Sequence, residues 1–156
     1  MEELAAAKDV KMAGETILIV DDNREIVAAL TDILMSKGYG VLSAHNGRQG
    51  LWLALEREPD LILLDWNLPQ LSGYQVLQSL RERGSKAPVV LMTMYGSESV
   101  AVQAFRLGVR DYIPKPFRVP DTRGAIEQAL AEERLRQDKE QIAGTLEQAN
   151  QQMEQQ

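Results

Sequence analysis

The sequence predicts an α/β domain, a five-stranded parallel sheet doubly wound with helices on both faces. Three observations lead there. Short apolar runs rich in β-branched residues recur between residues 15 and 113, without alternating polar positions, and such runs belong to strands buried on both faces. Each is followed by a stretch with apolar residues at helical spacing, and alternation of the two means βαβ units and parallel pairing. The length of 156 residues suits one domain of about 150.

The elements follow in order. Residues 1–13 are short, mixed and weakly patterned, and are read as an N-terminal tail outside the fold. Thr16–Val20 is the first strand and stops at Asp21-Asp22. The stretch Asn23–Lys37 carries Ile26, Val27, Leu30, Ile33 and Leu34 at helical spacing, with Gly38 as its stop signal. Gly40–Ala44 is the second strand. After the Asn46-Gly47 turn, Arg48–Glu56 is helical with Leu51, Trp52 and Leu55 on one side, and Pro59 breaks it. Leu61–Leu64 is a third apolar run ending at Asp65. Leu68–Gly73 is a loop and Tyr74–Arg83 a helix. Pro88–Met92 is a strand ending at Thr93, Glu98–Leu107 a helix, and Val109–Ile113 the fifth strand, followed by Pro114-Lys115-Pro116. From about Pro120 the chain reads helical to its end, with Ile126, Ala129 and Leu130 facing the sheet. The domain is therefore expected over residues 14–133, with 134–156 as a helical extension.

Composition narrows the chemistry. There is no cysteine, which excludes disulfides, thiolate metal sites and cysteine nucleophiles. The 23 acids outnumber the 17 bases, for a net charge of −6, and this argues against direct nucleic-acid binding. The longest purely apolar runs, Ile26–Leu30 and Leu51–Leu55, are too short to span a bilayer. The opening Met-Glu-Glu has neither a basic region nor an apolar core of a signal peptide. The expectation is a cytoplasmic protein with no membrane partner.

In open parallel sheets the site lies at the carboxyl ends of the strands. Reading only those ends gives Asp21 and Asp22, Asp65, Thr93 and Lys115. Three carboxylates brought together repel one another and demand a positive partner: a divalent cation, the Lys115 ammonium, or both. Oxygen donors with neither His nor Cys beside them select magnesium-type ions. A magnesium ion, a lysine and a hydroxyl around one carboxylate suit a phosphoryl group in transfer. The plain alternative is that Asp21-Asp22 caps the first helix. The one histidine, His45, is read as a surface turn residue, and Trp52 and Trp66 as packing residues, with Trp66 near the site.

These residues carry a resemblance. Ile-Leu-Ile-Val-Asp21-Asp22-Asn, Leu-Ile-Leu-Leu-Asp65-Trp-Asn-Leu-Pro69 with Gly73, Val-Val-Leu-Met-Thr93 and Gly108-Val-Arg-Asp-Tyr112-Ile-Pro-Lys115-Pro116-Phe117 stand in the order and spacing of a receiver domain of two-component response regulators. About residues 15–133 resemble that family. The resemblance implies a flavodoxin-like strand order 2-1-3-4-5. It implies Asp65 as the acceptor of a phosphoryl group from a histidine kinase, and magnesium held by Asp21, Asp22, Asp65 and the carbonyl of Asn67. Thr93 and Lys115 would contact phosphoryl oxygens, Thr93 and Tyr112 would form the switch, and the bond before Pro116 would be cis. Such a domain is a phosphoacceptor with self-catalysed transfer and dephosphorylation, not an enzyme in its own right. Met94 and Tyr95 depart from the pattern, since the residue after Thr93 is usually small. An aspartyl phosphatase wants a second Asp where this chain has Asn67, and no Gly-rich phosphate loop follows the first strand. A non-phosphorylated pseudo-receiver serving as an interaction module is the remaining alternative.

Beyond Glu133 the apolar spacing becomes 4-3-4-3-4: Leu135, Lys139, Ile142, Leu146, Ala149 and Met153. That is a heptad seam with d at Leu135 and a at Lys139. It predicts a coiled-coil helix that joins two copies of the chain and leads to an output, against a solvated helix that frays.

Overall fold

The computed structural model describes residues 14–94 and 98–154, apart from the Val119 side chain. The tail at 1–13 and Tyr95 lie outside the described residues. The strands are β1 (Thr16–Val20), β2 (Gly40–Ala44), β3 (Leu61–Asp65), β4 (Val89–Thr93) and β5 (Asp111–Pro114). The helices are α1 (Arg24–Ser36), α2 (Gly47–Arg57), α3 (Gly73–Glu82), α4 (Glu98–Arg106) and α5 (Arg123–Glu154), with a 3-10 turn at Val119–Thr122 before the last. All strand pairs are parallel in the order β2-β1-β3-β4-β5, as expected.

Alternate residues of the central strands divide the core in two. Ile17 and Ile19, Leu61 and Leu63, and Val90 and Met92 pack against Val27, Leu30 and Leu34 of α1 and Ile126, Ala129 and Leu130 of α5. Leu18 and Val20, Ile62 and Leu64, and Val89 and Leu91 pack against α2, α3 and α4 through Ala54, Val76, Leu77, Leu80 and Ala104. β1, β3 and β4 are buried along their whole length, the cause of their unbroken apolar sequences.

Three expectations need correction. The buried residues of α2 are Gly47, Gly50 and Ala54, with Gly47 against Leu71 and Gly50 against Val20 of β1, while Trp52 is 58% exposed. The helix lies so close to β1 that a Cβ on Gly50 would come within 2.6 Å of Val20 Cγ1. Small residues therefore make the contact, and the large ones flank it. His45 is half-buried in the bend before α2, its backbone N–H donating to the Gln49 side-chain Oε1 at 3.2 Å and its Nδ1 enclosed by protein. β5 begins at Asp111 rather than Val109; Val109 instead turns into the core. The continuation expected past Glu133 is present: α5 runs unbroken for 32 residues.

Candidate functional site

The first turn of α1 decides what Asp21 and Asp22 are free to do. Asn23 is the N-cap, its side chain accepting from the N–H groups of Glu25 and Ile26 at 3.0 and 3.2 Å. The aspartates are thus released from capping. Asp21 is fully buried, and its Oδ1 accepts from the Asn23 N–H at 2.9 Å. Asp22 is exposed. Asp65 ends β3 at 4% exposure, with its Oδ1 accepting from the Asn67 N–H at 3.2 Å. One carboxylate oxygen from each of Asp21, Asp22 and Asp65 lies within 4.8 Å of the others.

Lys115 answers this charge. Its backbone N–H donates to the Thr93 carbonyl at 2.8 Å, which extends the β4–β5 pairing one residue past the strand. Its ammonium then reaches across to Asp21 Oδ2 at 2.7 Å and Asp65 Oδ2 at 3.3 Å. The Lys115–Pro116 bond is cis, as the family likeness implied. Thr93 is fully buried at the end of β4, and Met94 beyond it is 59% exposed. Tyr112 is half-buried on β5 against the cluster that holds Leu91. Trp66 is half-buried, its ring edge-on to Tyr74 at 5.6 Å between centroids.

The electrostatics follow from this geometry. Burial pushes the Asp65 carboxyl up from 3.8 to about 6; the charge of Asp21 adds to the rise, while Lys115 and the Asn67 N–H oppose it. Burial also disfavours the Lys115 ammonium, but its bonds and attraction to Asp21 and Asp65 outweigh that, and its pKa rises above 10.5. One lysine cannot balance three carboxylates, and Asp65 takes the excess. A hard divalent cation fits this donor set: the donors are carboxylate oxygens, clustered, with one member open to solvent.

The loop after β3 is held close. Gly73 donates its N–H to the Trp66 carbonyl at 2.9 Å, and a Cβ there would fall 2.4 Å from the Asp65 carbonyl oxygen. Only glycine lets α3 start this near Asp65. Ser72 and Gln75 cap α3 reciprocally.

Two polar groups escaped the sequence reading. Arg81 of α3 bonds the carbonyls of Leu107, Ser85 and Ala87 at 2.7–3.1 Å and so ties the end of α4 to α3. Glu133 is 5% exposed, paired with Arg110 at 2.9 Å and with Arg136. On the other side of the same turn, Arg134 pairs with Glu15. No local pattern marks the contacts of Arg81 with Leu107, Glu133 with Arg110 and Arg134 with Glu15, because these partners lie 23 or more positions apart in sequence.

A parallel sheet with three carboxylates and a lysine converging at its carboxyl edge defines an acidic-pocket α/β domain of the phosphoryl-handling kind. Residues 17–127 match the family model of the response regulator receiver domain, and the chain belongs to that family. It is 41% identical over 108 residues to the phosphate regulon transcriptional regulatory protein PhoB of Pseudomonas aeruginosa, covering 68% of this chain and 47% of that one. Sporulation initiation phosphotransferase F of Bacillus subtilis is 33% identical over 119 residues, covering 76% and 96%. Among solved structures, a receiver domain from Methanospirillum hungatei superimposes with a TM-score of 0.74 at 29% identity, covering 78% of this chain and 98% of that one. The chain spans about a quarter to a half of the length of AtoC, PhoB and CpxR, curated regulators that it matches. Receiver domains are phosphoacceptor signalling domains that take phosphoryl groups from histidine kinases and bind magnesium at an acidic pocket. Among the described residues no helix is long and apolar enough to cross a membrane.

Proposed function

We propose that this chain is a magnesium-dependent phosphoacceptor switch with Asp65 as the acceptor. The observation that carries the reading is the convergence of the Lys115 ammonium on Asp21 and Asp65, with oxygens of three carboxylates within 4.8 Å of one another. A carboxylate oxygen of Asp65 attacks the phosphorus of a phosphohistidine on a partner kinase; the P–N bond breaks, the imidazole leaves, and an acyl phosphate remains on Asp65. Asp21, Asp22, Asp65 and the Asn67 carbonyl would hold the magnesium ion, which supplies charge neutralisation at the phosphoryl oxygens when bound. Lys115 shifts its bond from Asp65 to a phosphoryl oxygen, and Thr93 donates its hydroxyl to another. Tyr112, on the strand next to Thr93, follows that movement as the aromatic half of the switch. Water later cleaves the acyl phosphate, so the chain resets itself without being an enzyme for another substrate. We place this activity in the cytoplasm, and read the exposed helix after Glu133 as the output element, pairing with a second copy.

Incubation with magnesium and acetyl phosphate should add one phosphoryl group by intact mass. Asp65→Asn should abolish it. In a Trp52→Phe background, Trp66 beside the acceptor becomes the sole tryptophan, and its emission should change on adding magnesium and beryllofluoride. Undiminished phosphate on Asp65→Asn would remove the assignment, and a chain inert to every donor would leave a pseudo-receiver.

A further inference from the structure

The last 18 described residues, 137–154, are exposed without exception. They extend α5 by about 27 Å at 1.5 Å per residue. Along them and the turn before run Leu135, Ile142, Leu146 and Met153, at 55, 61, 60 and 66% exposure. With Lys139 and Ala149 between them, the 4-3 alternation of these positions is the heptad spacing of a two-helix seam. The base of this helix cannot rotate freely. Glu133 is fastened to Arg110, the residue before β5, and Arg134 to Glu15, the residue before β1. Leu135 therefore leaves the domain in a fixed direction.

Two orientations would cover the stripe with a second copy, and they treat Lys139 differently. In a parallel, in-register pair, an a-position side chain enters a hole made by the facing d, g, a and d residues. For Lys139 these are Leu135, Asp138, Lys139 and Ile142 of the partner subunit. The ammonium then meets the partner's Asp138, which offsets the like charge of the partner's Lys139, and the pairing is made twice by symmetry. In an antiparallel pair covering the same six positions, Lys139 lies opposite Ala149 of the partner subunit. The seam there is flanked by Gln148, Asn150, Gln151 and Gln152, which carry no negative charge.

We infer that the extension pairs in parallel and in register with a second copy of this chain, and that Asp138 and Lys139 form the polar layer that sets the orientation. This rests on the reading of the helix as a pairing element. A single polar layer in an apolar seam fixes register at a cost in affinity, so the dimer is reversible.

The absence of cysteine makes the test direct. Leu135→Cys and Met153→Cys are prepared separately in the full chain, and oxidised alone and as an equimolar mixture of differently tagged proteins. Parallel pairing brings each position to its own copy, so each variant forms a disulfide-linked homodimer and the mixture forms no mixed species. Sedimentation equilibrium of the unmodified chain should show a concentration-dependent dimer, and Asp138→Lys should raise its dissociation constant by about tenfold, as two attractions become repulsions. A dimer that crosslinks only as the Leu135→Cys/Met153→Cys mixture overturns the orientation and leaves pairing intact. A chain that stays monomeric at high micromolar concentration overturns both. An unchanged dissociation constant for Asp138→Lys in a parallel dimer removes the role of the polar layer.

Discussion

Replacing Asp65 by Asn should stabilise the metal-free protein at neutral pH, an unusual result for a residue at the centre of a site. The magnitude follows from the geometry. Burial and the neighbouring Asp21 charge raise the Asp65 pKa from 3.8 to about 6. A rise of that size corresponds to about 3 kcal/mol, at about 1.36 kcal/mol for each pKa unit. The sign follows from linkage. Asp65 binds its proton more tightly folded than unfolded, so its contribution is favourable below the unfolded pKa and is lost as pH rises through about 6. Asn carries no charge and escapes that loss, and its side-chain oxygen still accepts from the Asn67 N–H.

The variant should therefore exceed the parent by about 1–3 kcal/mol above pH 7, the lower end allowing for the weakened Lys115 bond. The difference should shrink as pH falls through 6 and vanish below about pH 4. Urea unfolding of both proteins from pH 3.5 to 8.5, in chelator, measures it, and the other carboxylates cancel in the comparison. Added magnesium should reverse the order, since the parent keeps all three carboxylates and gains binding energy. A variant equal to or weaker than the parent at pH 8 without metal, or a difference independent of pH, would refute the electrostatic reasoning.

Three further outcomes follow from the same contacts. Lys115→Met leaves the fully buried Asp21 without its ammonium and should cost about 3–5 kcal/mol in chelator by urea melt, with part of the loss recovered on adding magnesium. Gly73→Ala puts a methyl group 2.4 Å from the Asp65 carbonyl oxygen; it should cost about 1–3 kcal/mol and weaken magnesium binding, read by Trp66 emission. Arg81→Ala strips the donors from the carbonyls of Leu107, Ser85 and Ala87 and should cost about 2–3 kcal/mol while leaving magnesium affinity unchanged, because these bonds lie away from the acidic pocket.

What could be read from the sequence, and what could not, separates by the range of the interaction. Ile17–Val20, Leu61–Leu64 and Val89–Met92 announce themselves because a strand buried on both faces must be apolar at every position. The site was legible for a related reason: Asp21, Asp22, Asp65, Thr93 and Lys115 stand where apolar runs end, and a parallel sheet brings all such ends to one edge. Trp52 misled because hydrophobic spacing cannot tell which side of a helix must be small. That depends on how near the neighbouring strand lies, and the 2.6 Å that would separate a Gly50 Cβ from Val20 is a fact of packing. Arg81 and Glu133 were invisible for a different reason. A charged residue on a helix ordinarily faces water, and only the folded chain shows that Glu133 is enclosed between Arg110, 23 positions away, and Arg136. The unbroken α5 lies between these cases. Residues 123–154 contain no Gly–Pro stop, so continuation was readable, but the ionic fastening at 133–136 was not. That fastening gives the exposed stripe a fixed direction relative to the sheet. The heptad spacing can specify what pairs with it, and only the contacts of Glu133 and Arg134 with the residues before β5 and β1 relate that pairing to the strand that leads into Lys115.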